Sequence, residues 1–145
     1  MKHSTHALPQ DRELCACTTL RDLARRTTAI YDVFLEPVGL KQTQYMVLVR
    51  LDRLIHCSLG ELAKACDLDV TSLSRALRPL IAAGWVKSGR GKDDRTKQYE
   101  LTAHGKQVLR KAFALWEKAQ SRLHEVIAPE QVRELATLSG ILKGV

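Results

Sequence analysis

The sequence predicts a mainly α-helical fold carrying one small β-hairpin, on three observations. Two short amphipathic segments, starting near Ser58 and Asp69, are separated by the polar break Asp67-Leu68-Asp69. A glycine-rich basic loop, Gly89 to Thr96, joins two short runs, Trp85 to Ser88 and Lys97 to Leu101, that read as strands. Long apolar stripes at helical spacing flank this unit on both sides. Together they describe a winged helix-turn-helix domain, residues 13–145, behind a polar arm at residues 1–12 that is expected to be flexible.

Each element follows from local chemistry. Leu20, Leu23, Ala24, Thr27, Ile30, Tyr31 and Phe34 recur at helical spacing from Cys15, and Pro37 and Gly39 stop that helix. The second helix runs from about Gln42 to Leu54. Tyr45, Leu48, Val49, Asp52 and Ile55 mark one face, and Met46, Val47 and Leu51 extend it, so the helix should be buried on most sides. His56-Cys57 reads as a connector. Ser58 with Glu61 three residues later forms a capping box for the third helix. Asp69 is the N-cap of the fourth helix, with Val70, Leu73, Ala76, Leu77, Leu80 and Ile81 expected inward and Gly84 as its stop. Pro79 should bend this helix, at a cost of ~3 kcal/mol, and end its outward-reading part. Thr102 caps a long helix with a stripe of Leu109, Ala112, Phe113, Trp116, Ala119, Leu123, Val126 and Ile127. Pro129 opens a last helix carrying Val132, Leu135, Leu138, Ile141 and Leu142.

Composition narrows the function. The chain has 145 residues and a net charge of +7. Between Val70 and Gln98 lie seven Lys and Arg against two Asp, a net +5. A basic surface concentrated on a helix and a loop suits a phosphate backbone. Outward Thr71, Ser72, Ser74, Arg75 and Arg78 can reach base edges and phosphates from the major groove. Lys87, Arg90, Lys92 and Lys97 read as phosphate contacts, and Asp94 as a solvated turn residue. No apolar run approaches the ~20 residues of a membrane span, and the polar N-terminus has no signal-peptide core, so a cytoplasmic protein without a membrane partner is expected. No nucleophile elbow, phosphate-cradling loop, HExxH or paired carboxylates suggest an enzyme. The expected partner is double-stranded DNA. A non-specific architectural DNA-binding protein is the alternative, but it leaves the outward Ser/Thr/Arg pattern without a purpose. The apolar stripes at residues 13–40 and 103–145 exceed what the winged unit at 41–102 can cover. A second copy of the chain, in a symmetric homodimer, would cover them.

These residues resemble the MarR family of bacterial transcriptional regulators, from about Cys17 to Leu142. The most specific part is the wing. The family's D-x-R, then a strand and L-T-x-x-G, stands here as Asp93-Asp94-Arg95 and Leu101-Thr102-Ala103-His104-Gly105. The resemblance implies a dimer of winged domains on a pseudo-palindromic operator, usually a repressor released by a small molecule or an oxidant. It makes Arg95 the minor-groove arginine and Asp93 the acid that orients it. It also implies a cleft for a small aromatic effector between the dimer helices and the winged domain.

Four cysteines, Cys15, Cys17, Cys57 and Cys66, lack zinc spacing, and neither a metal nor a cofactor is expected. Cys15 and Cys17 open the first helix, where a thiol gains reactivity, and Arg21 lies one turn beyond Cys17. The placement is similar to the reactive cysteine of the family's hydroperoxide-sensing branch, with Tyr31 and Tyr45 as loosely aligned partners. Redox sensing at Cys15 and Cys17, through an inter-subunit disulfide, therefore stands beside the plain reading of exposed thiols. Cys66 is expected in the core, and Cys57 could be core or surface.

Overall fold

A computed structural model describes residues 15–91 and 96–144. The elements are α1 (Ala16–Leu35), a 3-10 turn (Glu36–Val38), α2 (Gln42–Leu54), β1 (His56–Ser58), α3 (Leu59–Cys66), α4 (Val70–Ala82), β2 (Val86–Arg90), β3 (Lys97–Leu101), α5 (Ala103–His124) and α6 (Pro129–Leu142). The arm at residues 1–12 lies outside the described residues, as do Lys92, Asp93, Asp94 and Arg95 of the wing loop. No helix among the described residues is long and apolar enough to cross a membrane.

α2 runs through the middle. Tyr45, Val47, Leu48 and Leu51 are all buried, and α1, α3, α4, α5 and the sheet pack around them. Its start is fixed from two sides. The Gln42 amide donates to Asp32 Oδ1 of α1 at 2.7 Å, and the Lys41 amide donates to Gln44 Oε1 at 2.9 Å. The predicted face was too long at its far end. Asp52 is exposed and Ile55 is 68% exposed, because α2 stops at Leu54 and the chain turns sharply. Ile55 makes that turn with φ 66° and ψ −59°, a backbone region that a β-branched residue rarely occupies.

The connector expected at His56-Cys57 is instead the strand β1. It pairs antiparallel with β3, His56 opposite Glu100 and Cys57 opposite Tyr99. The wing is therefore a three-stranded sheet in the order β1-β3-β2 rather than a two-stranded hairpin. A strand this short has too few residues to display alternation, and its partner lies over forty positions away. The hairpin itself is shifted from expectation: Trp85 precedes β2, while Gly89 and Arg90 belong to it.

The expected caps are present. Ser58 Oγ accepts from the Glu61 amide at 3.2 Å, and Glu61 Oε2 accepts from the Ser58 amide at 2.7 Å. Asp69 caps α4 and Thr102 caps α5. Gly84, at φ 71°, ends α4, with the Trp85 amide returning to the Leu80 carbonyl. Pro79 lies inside α4, which runs on to Ala82. Pro79 and Arg75 are both exposed, so the Arg75 carbonyl that loses its donor lies on the side open to water. Leu73, Leu77 and Leu80 are buried as expected, but Val70 and Ile81 are 49% and 39% exposed.

The flanking helices are less covered. α1 packs along α5, and the Tyr31 hydroxyl donates to Gln120 Oε1. On α5, Ala112, Ala119 and Leu123 are buried, whereas Phe113 of the predicted stripe is 49% exposed; the helix ends at His124, so Val126, 67% exposed, lies beyond it. No residue of α6 is buried, and Leu138, Ile141 and Leu142 are each more than half exposed.

Candidate nucleic-acid interface and cleft

α4 is held rigidly enough to present side chains. Leu73, Leu77 and Leu80 anchor one face in the core. Its leading end is fixed by Asp69, which accepts from the Ser72 amide at 2.8 Å and the Ser72 hydroxyl at 2.6 Å. Those two bonds hold the Asp69 carboxyl below the usual carboxylate range. They also give Ser72 a capping role, which sets it apart from the other predicted readers. Thr71, Arg75 and Arg78 are exposed and Ser74 is half-buried. Among the described residues, neither arginine pairs with an acid. Two guanidiniums on an exposed helix face, without acid partners, are available for guanine edges or phosphates.

The sheet carries the remaining cations. Arg90 lies opposite Lys97 in the β2–β3 ladder, and both are exposed. The Gly91 amide donates to the Thr96 carbonyl at 2.8 Å and closes the ribbon beneath the tip. Lys87 is placed differently. Its Nζ lies 2.7 Å from Glu100 Oε1, and this contact is the main reason the Glu100 carboxyl sits below its ordinary range. Glu100 escaped the sequence reading; strand alternation across the hairpin, which sets it opposite Lys87, was the available signal. A phosphate at Lys87 would have to displace Glu100, whereas among the described residues Arg75 and Arg78 have no acid partner. The sequence-predicted Lys92, Asp93 and Arg95 lie outside the described residues.

The ribbon joins α5 through a tight contact. The Trp85 carbonyl accepts from the Thr102 amide at 3.0 Å, and the Thr102 hydroxyl donates to the Gly84 carbonyl at 2.7 Å. Gly105, one turn into α5, has Trp85 so close that a Cβ would sit 2.0 Å from its carbonyl oxygen.

A cavity of about 700 Å³ opens between α2 and α5. Tyr45, Phe113 and Trp116 form its aromatic wall, with Trp116 stacked 6.2 Å from Tyr45 and 5.9 Å from Phe113. Arg50, Arg53, Lys106 and Arg110 line it against one acid, Asp52. Arg50 Nε is buried and has no hydrogen-bond partner among the described residues. These cations were not singled out in the sequence, because only the folding of α5 against α2 brings them together.

Cys15 and Cys17 are both exposed. Cys15 occupies the N-cap position of α1. The amide and hydroxyl of Thr18, then the Cys17 amide, hold its thiol below the ordinary cysteine range, although no capping bond of full geometry forms. Burial pushes Cys57 up to about 11 and also raises Cys66. Cys57 is thus core, while Cys66 sits at its margin rather than inside it. Burial raises the phenols of Tyr31 and Tyr45, and Tyr31 is already committed to Gln120.

The profile of the MarR family matches residues 40–97. The crystal structure of the M. tuberculosis transcriptional regulator MosR in complex with DNA is 33% identical, covers 90% of this chain and 97% of its own, and superposes with a TM-score of 0.79. A mutant E. coli MarR complexed with operator DNA shares the fold at 21% identity and a TM-score of 0.77, over 94% of this chain and 98% of its own. Bordetella bronchiseptica BpsR, whose DNA binding is regulated by 6-hydroxynicotinic acid, shares it at 19% identity and 0.83, over 95% and 99%.

Proposed function

The chain belongs to the MarR family of DNA-binding transcriptional regulators, non-enzymatic proteins, and from that premise we propose a homodimeric, sequence-specific repressor of a pseudo-palindromic operator. The observation that carries the reading is the exposed face of α4, where Thr71, Arg75 and Arg78 stand on a helix anchored by buried leucines. Ser74 shares that face, and Ser72 holds its leading turn. Arg90, Lys97 and Lys92 contact phosphates, and Lys87 joins them once it leaves Glu100. By the family resemblance, Arg95 enters the minor groove and Asp93 orients it. Residues 41–102 form the DNA-binding unit, and residues 13–40 and 103–145 the dimerisation helices. The uncovered apolar side chains of α6 support that division. Footprinting on the DNA upstream of the protein's own gene should reveal two protected half-sites about one helical turn apart. A single asymmetric site would argue against the symmetric dimer.

Two observations favour two modes of release. The α2–α5 cavity, with aromatic walls, four cations and an unpaired Arg50 Nε, suits a small aromatic acid. The exposed, acidified thiol of Cys15, two positions from exposed Cys17, suits an oxidant. Peroxide should release DNA from the wild type and not from the Cys15→Ser/Cys17→Ser variant, as read by band shift. Equal release from both proteins rules out Cys15 and Cys17 as the sensor.

A further inference from the structure

We propose that Val70 is a specificity-determining residue that reads a thymine methyl group in the major groove. The inference rests on the regulator reading above. Val70 is the first residue of α4 and is 49% exposed. Its periodicity suggests a core position, but that role is already filled. Leu68, just before the Asp69 cap, packs on the core, and Leu73, four residues into the helix, is fully buried. These are the positions flanking the cap whose apolar side chains fix a helix start, both are turned to the core, and Val70 is left outside.

Val70 stands among the readers. Ser74, four residues on, shares its side of the helix, and exposed Thr71 is adjacent. Ser72 and Asp69 satisfy each other, so neither competes for a base at this end. The leading turn therefore offers an aliphatic side chain beside hydroxyls, with Arg75 behind it. Residues at this end of a recognition helix meet base edges. In the major groove, thymine alone among the four bases carries a methyl group. Burying one methyl against valine changes affinity about fourfold.

The test uses the full-length protein and a pool of random-sequence duplexes, with the bound fraction sequenced. The wild type should enrich a motif with a thymine in each half-site whose preference disappears for Val70→Ala and partly persists for Val70→Thr, which keeps one methyl. Replacing that thymine with uracil removes only the methyl, and should cost the wild type about fourfold per thymine and Val70→Ala nothing. Identical motifs from wild type and Val70→Ala, or an equal uracil penalty for both, overturn the role of Val70 while leaving the regulator reading intact. Failure of the wild type to enrich any motif overturns sequence-specific regulation, and this inference with it.

Discussion

Raising salt from about 50 to about 200 mM should lower the affinity for operator DNA by a factor of about 4,000. The cations are numerous and concentrated. Each chain brings Arg75 and Arg78 on α4 and Lys87, Arg90, Lys92, Arg95 and Lys97 on the wing. If half of them neutralise phosphates in a dimer, about six or seven counterions leave, and the logarithm of affinity falls with a slope near −6. Glu100 tempers this, because the ion pair it makes with Lys87 must be exchanged before that lysine counts. Fluorescence anisotropy across a potassium chloride series measures the slope directly. A slope shallower than about −3 would mean that the basic strands do not touch the backbone.

Gly105→Ala should destabilise the protein by about 3 kcal/mol, more than an ordinary overpacked site. On helix propensity alone the change would stabilise α5 by about 1 kcal/mol, so the sign of the result is decisive. The added Cβ would lie 2.0 Å from the Trp85 carbonyl oxygen and 2.9 Å from its carbonyl carbon. Both are backbone atoms, held by the bonds of Thr102 to Trp85 and Gly84, so no flexible side chain can yield. The end of α4 and the start of α5 would have to separate. A melting temperature lower by roughly 10 °C follows for a domain of this size. Gly140→Ala is the control, since nothing lies within 4 Å of its added Cβ. A Gly105→Ala variant that melts at or above the wild type would refute the steric account.

The helices were legible because their signals are local. Ser58 with Glu61, Asp69, Gly84, Thr102 and Pro129 each mark an end through chemistry confined to four or five residues. β1 was not legible, since its strand character comes from a ladder with β3 rather than from His56, Cys57 and Ser58 themselves. Val70 and Ile81 have the spacing of core residues, yet they sit at the two ends of α4, where the neighbouring elements no longer cover the helix. The readers on α4 could be proposed from its amphipathic pattern alone. The cavity could not, because its cations come from two helices more than fifty residues apart. The pairing of Lys87 with Glu100 is legible only through the hairpin register that sets the two opposite each other.

The backbone at Ile55 has a mechanical consequence. A β-branched residue at positive φ costs on the order of 1–3 kcal/mol and persists only where its surroundings dictate it. Here both sides do so: Leu48 and Leu51 lock α2 into the core, and Cys57 is buried in the ladder opposite Tyr99. One residue, already at the limit of its torsions, offers no slack between them. The helix that walls the cavity and the sheet that carries the basic strands are thus joined by a single residue in a strained conformation.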